Sequence, residues 1–327
     1  MKNAGIILLL VLAFLPKLSE AQQDFLVSQT FVNPQLVNPS LSVLRDNWEV
    51  GVFVRNQWVS HDQSPQTQIL TIGGTIGKPK SSRLLSGRIK LNQNTELAGG
   101  KRMFHTVSAN VINDQVGAFG RMEAQLHWSP VVRLSKKLYV GIGPTLRFAK
   151  FQINPNRIDF LIRNDQAWDM MRVAGLSHQS FGINVDGVIF TTNAYLGASL
   201  IDPLRATWVN DKNSKLLLDR ALVLTGGVTH RLDRRWDIDA VLSNRMVKGA
   251  PIELDGMFRA VYQQSFWLGL GYRANAAFSV TVGSFLSNKL RWSYALERSV
   301  LSVSGQLGWS HEFYLSYVFP ARSDLKF

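Results

Sequence analysis

The chain contains no cysteine. Disulfides, thiolate metal sites, thiol nucleophiles and a lipid-modified cysteine anchor are therefore excluded together. Beyond the first two dozen residues there is also no run of the ~18 apolar residues that a membrane helix needs. His61, His105, His127, His178, His230 and His311 form no HExxH or HxH spacing, so no metal site is expected. A GxSxG elbow and a phosphate-binding loop are missing too. Gly141-Ile142-Gly143 runs into Pro144 inside an apparent strand and lacks the dinucleotide fingerprint. Ser310-His311-Glu312 is the triplet that invites a hydrolase reading. Adjacent strand residues point to opposite faces, so His311 and Glu312 cannot meet directly as a dyad. A barrel hydrolase using His311 would have to draw its partners from neighbouring strands. The expectation is a protein without catalysis and without a cofactor.

What is present begins with an address. Met1-Lys2-Asn3 is a short positive start, Ile6 to Leu15 an apolar core, and Ser19-Glu20-Ala21 a small-residue cleavage site before Gln22. This reads as a secretory signal peptide over 1–21, too short to span a membrane; an uncleaved anchor is the alternative. Hydrophobic residues make up 46% of the chain, with 9 Trp, 18 Phe and 7 Tyr, which excludes a disordered chain. The net charge of +13 would suggest nucleic acid in a cytoplasmic protein. After secretion, lipopolysaccharide phosphates, anionic lipid head groups or acidic proteins are the fitting partners, and nucleic acid is not expected.

No heptad, low-complexity tract or linker divides the chain. What recurs is alternation over ~10 residues between turns, the signature of transmembrane strands. In 48–58, Trp48, Val50, Val52, Val54 and Trp58 share one face, and Glu49, Gly51, Phe53, Arg55 and Gln57 the other. Ten residues of strand cover ~33 Å, or ~23 Å along the normal at a 45° tilt, close to the ~25 Å apolar band of outer-membrane barrels. Later segments repeat the split. Trp236, Ile238, Ala240 and Leu242 oppose Asp237, Asp239, Ser243 and Arg245; Leu254, Gly256, Phe258 and Ala260 oppose Glu253, Asp255 and Arg259. Trp292, Tyr294 and Leu296 oppose Arg291, Ser293 and Glu297, and the last segment places Phe313, Leu315, Tyr317 and Phe319 opposite Tyr314 and Ser316. Both charge signs fall on the inward faces, so lumenal ion pairs and a filled, narrow interior are expected. A soluble β-sandwich is the alternative.

The spans are 48–58, 66–76, 103–112, 119–134, 138–152, 179–190, 194–201, 219–232, 235–247, 251–262, 265–274, 276–287, 289–299 and 309–319. That makes an all-β transmembrane antiparallel barrel of about 14 strands over 48–319, an even number as bacterial single-chain barrels require. A tail of 320–327 follows. Short turns belong to the periplasmic side and the long connections 153–178 and 202–218 to the outside. Residues 77–102 break this rule. They carry Lys78, Lys80, Arg83, Arg88, Lys90, Lys101 and Arg102 against Glu96 alone. Such a basic insertion in a periplasmic turn reads either as a docking element for an acidic partner or inner-leaflet phosphates, or as a long strand pair with solvated charges.

A set of motifs then forms a pattern. Gln29-Thr30-Phe31-Val32-Asn33-Pro34 is followed by Leu36-Val37-Asn38-Pro39-Ser40, Arg55-Asn56-Gln57-Trp58, Ser64-Pro65-Gln66-Thr67-Gln68 and Asn113-Asp114-Gln115-Val116-Gly117. Near the end stand Lys248-Gly249-Ala250-Pro251-Ile252-Glu253-Leu254-Asp255, Trp267-Leu268-Gly269-Leu270-Gly271-Tyr272-Arg273 and Ser310-His311-Glu312. In this order they resemble the PorP/SprF family of type IX secretion system outer-membrane proteins. The resemblance covers the whole mature chain. The long 77–102 segment and an opening poor in aromatics depart from the family form.

The residues suggest roles. Asn33-Pro34 and Asn38-Pro39 make stiff turns in a periplasmic segment over 22–47, or a plain linker into the first strand. Arg55 and Gln57 point inward, where a guanidinium pairs with carboxylates. Lys248-Gly249-Ala250-Pro251 makes a hairpin loop, and Trp267 fills the lumen while Phe266, Leu268, Leu270 and Tyr272 face lipid. The resemblance implies a non-enzymatic barrel that works with the type IX translocon and with periplasmic ring or peptidoglycan-binding components. It implies a part in export or surface attachment of large adhesins and in gliding motility. The alternatives are a passive outer-membrane channel or small-solute transporter, a barrel hydrolase, and a structural tether to peptidoglycan.

Overall fold

The computed structural model describes residues 27–45, 47–60, 63–77, 102–158, 177–207, 220–247, 250–263, 265–287, 289–300 and 308–319. The basic residues Lys78, Lys80, Arg83, Arg88, Lys90 and Lys101, together with Lys248 and Gly249, lie outside them, as do the segment read as a signal peptide and the tail 320–327.

Alternating sequence becomes a closed antiparallel barrel of fourteen strands. They are β1 (Glu49–Asn56), β2 (Gln66–Ile76), β3 (Met103–Val116), β4 (Phe119–Arg133), β5 (Tyr139–Ile153), β6 (Ser177–Phe190) and β7 (Ala194–Thr207). The second half comprises β8 (Ala221–Arg231), β9 (Trp236–Val247), β10 (Glu253–Tyr262), β11 (Phe266–Arg273), β12 (Ala277–Phe285), β13 (Leu290–Ser299) and β14 (Trp309–Val318). Each strand pairs with its neighbours in sequence, and β1 closes against β14 from Glu49↔Val318 to Asn56↔His311. Closure leaves no sheet edge, which is what allows strands to cross lipid.

The outer face is apolar and exposed: Leu70, Leu126, Ile142, Leu196, Leu242, Phe258, Leu268, Leu270 and Phe278 stand out from successive strands. Their neighbours in sequence turn inward and are buried or half-buried. Leu270, 59% exposed, next to fully paired Gly269 on β11 is the pattern that lipid, not water, explains. Aromatic side chains ring both ends of the outer face. Trp48, Trp128, Trp236, Tyr262, Trp292 and Tyr317 lie toward the end where β1 begins and β14 finishes, here the near end. Phe119, Tyr272, Phe278 and Trp309 lie toward the far end.

Three local features depart from the expected spans. β1 stops at Asn56, and Trp58 adopts φ 55°, so it is not the partner of Trp48 in one continuous strand. Left-handed backbone cannot continue a pleat, which overrides the alternation. β7 continues to Thr207 rather than ending at 201, because a register shift against Ile183/Val185 absorbs Asp202, whose φ is 50°. Pairing of β4 with β5 skips Trp128–Pro130 against Ile142–Pro144, where two prolines lack donors. Gly143 belongs to that crossing: a Cβ there would lie 2.0 Å from the Trp128 carbonyl oxygen.

At the near end the connections 134–138, 191–193, 232–235, 263–265 and 286–289 are short. The long connections 154–176 and 208–220 are at the far end, as the parity argument requires.

Candidate functional site

The segment 27–45 has no strand periodicity. It is rich in uncharged polar residues, with Ser28, Gln29, Thr30, Asn33, Gln35, Asn38, Ser40 and Ser42, and every one of these is buried. It lies inside the barrel. The expected periplasmic segment over 22–47 is therefore corrected for these residues: they form a plug that descends through the lumen and turns into β1. The physical reason is complementarity, since a polar, charge-lined interior must be filled by groups that satisfy it.

Having no strand to pair with, the plug satisfies its backbone locally. Pro34 opens one 3-10 turn (Pro34–Leu36) and Pro39 a second (Pro39–Leu44). The Asn38 carboxamide oxygen accepts the Ser40 N–H at 2.9 Å, and the Ser42 hydroxyl donates to the Pro39 carbonyl at 2.8 Å. The two Asn-Pro pairs do make turns, as expected, but buried ones: Asn33 and Asn38 are at most 1% exposed.

Two ionic anchors hold the plug. Toward the far end, Arg55 lies between Glu297, at 2.6 Å, and Glu312. The Ser28 backbone N–H donates to both Glu312 oxygens at 2.9 and 3.1 Å, and the Ser28 hydroxyl donates to Glu297. Arg273 extends this cluster, 3.4 Å from Glu297 and 2.9 Å from Asp255. Toward the near end, Glu49 pairs with Arg45 at 2.8 Å and with Arg291, and accepts the Tyr314 hydroxyl at 3.0 Å. Arg45 donates in turn to the Asn33 carboxamide oxygen at 2.7 Å.

Between the anchors neutral polar contacts follow in order. Gln29 accepts from Ser293 at 2.5 Å, Asn33 donates to Thr71 at 3.2 Å, Gln35 to Asn110 at 2.9 Å and Asn38 to the Gly187 carbonyl at 3.1 Å. Ser42 and Thr106 share a hydrogen bond of 2.8 Å. Apolar plug residues fill the rest. Leu41, Val43 and Leu44 pack with Phe104, Val131, Tyr139, Val188 and Phe190. Val27, Val32 and Leu36 pack with Phe53, Ile69, Trp267 and Tyr314.

Other lumenal charges pair along the wall, and the guanidinium of Arg259 also lies 4.8 Å from the ring of the plug residue Phe31. Arg147 holds Glu123 at 2.6 Å and also Asp202, while Arg259 holds Asp239 at 2.5 Å. A Ser–His–Asp set also appears: Ser40 lies 3.4 Å from His127 Nε2, and His127 Nδ1 lies 2.9 Å from Thr145 and 3.6 Å from Asp186. With Ser40, His127 and Asp186 at 0–1% exposure, these groups offer no surface on which a substrate could land. Their contacts fasten the plug to the wall. Among the described residues no group of three His, Asp or Glu side chains is placed to hold a metal ion.

Of the residues singled out from sequence, Arg55, Glu312 and Arg273 meet in the far anchor, with Asp255 at its edge. Trp267 is inward and 2% exposed, under Arg259, whose guanidinium lies 5.6 Å from its ring. His311 turns outward and bonds the Tyr294 hydroxyl at 2.5 Å, while Glu312 beside it faces the lumen. Gln57 and Trp58 fall beyond β1, half-buried; the Gln57 N–H bonds the Pro65 carbonyl at 2.9 Å. Pro251 is exposed and Glu253 half-buried near the β9–β10 tip, away from the plug. Sequence reasoning missed Ser28 and Arg45, and it placed Arg291 on an inward face without singling it out. The signal for the first two was the uncharged polar stretch ending in a single arginine.

The family model for the type IX secretion system membrane protein PorP/SprF matches residues 19–317. The chain belongs to the PorP/SprF family. No curated protein matches it. Among solved structures, the outer-membrane protein Omp33 of Acinetobacter baumannii is similar at TM-score 0.49 and 6% identity, over 84% of this chain and 99% of that one. The Pseudomonas putida toluene transporter TodX aligns at TM-score 0.46 and 11% identity, over 91% and 95%. A KdgM porin aligns at 0.39 and 8%, over 83% and 99%.

Proposed function

We propose that this PorP/SprF barrel is a non-enzymatic partner in type IX secretion, serving export or surface attachment of particular large substrates such as adhesins. The observation that carries this reading is the lumen: the chain's own residues 27–45 fill it, anchored at both ends, leaving the connections at the two mouths as the surfaces for partners. The short turns face the periplasm, toward ring or peptidoglycan-binding components, and the long connections face the cell surface and its lipopolysaccharide. Export through a signal peptide over 1–21 brings the chain to the outer membrane.

A channel requires a continuous wet path, and the plug opposes one. Isolation of the tagged protein from native outer membranes, with mass spectrometry of what accompanies it, tests the partner reading. Recovery of a large surface protein or of translocon components supports it; a bare barrel showing steady single-channel conductance in planar bilayers overturns it.

A further inference from the structure

Three near-end turns share one architecture. Leu134-Ser135-Lys136-Lys137-Leu138 joins β4 to β5, Leu232-Asp233-Arg234-Arg235-Trp236 joins β8 to β9, and Leu286-Ser287-Asn288-Lys289-Leu290 joins β12 to β13. In each, the leading leucine N–H donates to the carbonyl of the fifth residue, at 2.9, 3.0 and 3.0 Å. In each, the side chain of the second residue accepts the N–H of the fourth: Ser135 from Lys137 at 3.4 Å, Asp233 from Arg235 at 2.5 Å, Ser287 from Lys289 at 3.1 Å. Four strands separate the first turn from the second and the second from the third, and six separate the third from the first. The intervening near-end turns, 191–193 and 263–265, carry no charged residue.

The shared architecture presents the same pair of groups three times. Leu134, Leu232 and Leu286 are 62%, 58% and 61% exposed, and parity puts them on the outer face, continuing the lipid-facing rows of β4, β8 and β12. Lys137, Arg235 and Lys289, three positions on, are exposed as well. Several neighbouring charges are already engaged, and Lys136 and Arg234 are exposed beside the cations. Asp233 accepts the Arg235 and Trp236 backbone N–H groups, Arg231 pairs with Asp237 at 3.0 Å, and the Arg133 guanidinium donates to the Ser135 and Lys136 carbonyls. An outward leucine at the edge of the apolar band, beside a cation fixed just beyond it, matches a lipid at the interface: acyl chain against the leucine, phosphate against the cation.

We infer that these three turns are phosphate clamps for inner-leaflet glycerophospholipids, holding the barrel at a set depth; the choice of leaflet rests on the orientation proposed above. Continuity of the leucines with the lipid-facing surface favours lipid over a protein partner. The test uses the full-length protein reconstituted in equal phosphatidylglycerol and phosphatidylcholine, with retained lipid counted by native mass spectrometry. Wild type is expected to enrich phosphatidylglycerol. The combined Lys137→Gln, Arg235→Gln and Lys289→Gln protein should lose that enrichment, each single change contributing about fivefold at ~1 kcal/mol per cation. Far-end Arg157→Gln should leave it intact. Equal retention of both lipids by wild type overturns the proposal, as does enrichment that survives the triple change. If lipid ratios hold while capture of a periplasmic protein is lost, the turns bind protein and the proposal also falls. Orientation is read separately: in this cysteine-free chain, Lys289→Cys should react with an impermeant thiol reagent only after the outer membrane is opened. The lipid ratio does not depend on any secretion partner, so failure of that reading stays distinguishable.

Discussion

On the wall facing the plug, the side chains of Glu49, Glu297 and Glu312 are 5%, 6% and 0% exposed, and each is shared between an arginine and a second donor. On the adjoining wall of β9, β10 and β11, the Asp255 side chain is 26% exposed and meets Arg273, and Asp239 meets Arg259 at 9%. Both walls pair opposite charges at similar distances. The first is the more deeply desolvated, so its donors must all be present: a buried ion left alone costs far more than the pair contributes. The plug supplies some of those donors, Ser28 to Glu297 and Glu312, Arg45 to Glu49. The dry wall specifies where the plug sits, while the wetter one tolerates change.

The largest test of this contrast is removal of residues 27–45, which should convert a silent barrel into one with steady conductance in planar bilayers. Persistent silence would mean that the wall closes without its plug. Next, Glu312→Ala should lower stability by about 3–5 kcal/mol, read as the denaturant midpoint of the folded, heat-modifiable form. Asp255→Asn on the wetter wall should change it by no more than ~1 kcal/mol, since partly exposed pairs contribute little. Equal losses at the two sites would erase the distinction. Smallest is Asp233, in a turn outside the spanning strands. The backbone N–H groups of Arg235 and Trp236 hold its carboxyl below the ordinary aspartate value of 3.8. A depressed carboxyl adds stability that is complete above that value and fades as pH falls through the lower folded one. Protection of the Arg235 amide, taken relative to its intrinsic exchange rate, should therefore fall only in strong acid, and in Asp233→Ala at every pH.

Strand number, inward faces and the parity of the connections were legible because each follows from a period of two that lipid on one side enforces. Arg55 and Trp267 were correctly placed by the same count. The plug was not legible: Asn33-Pro34 and Asn38-Pro39 announce turns, but a turn has no address until the polar interior that receives it is known. Ion-pair partners were hidden for a related reason, since Arg55 and Glu297 are 242 residues apart and meet only through closure of β1 on β14. Trp58 misled because an aromatic spacing that suits two girdles says nothing about backbone handedness at Gln57-Trp58.

The separation between Ser28 and Glu312 is 284 residues. The wall groups that Ser28 grips, Glu297 and Glu312, are on β13 and β14, the last parts of the barrel to be made. Segment 27–45 is therefore made well before the strands that hold Ser28, and it cannot be fully seated until they exist. Sealing of the seam and seating of the segment become a single late event, so a barrel interrupted before its final strands would be open at both the wall and the bore.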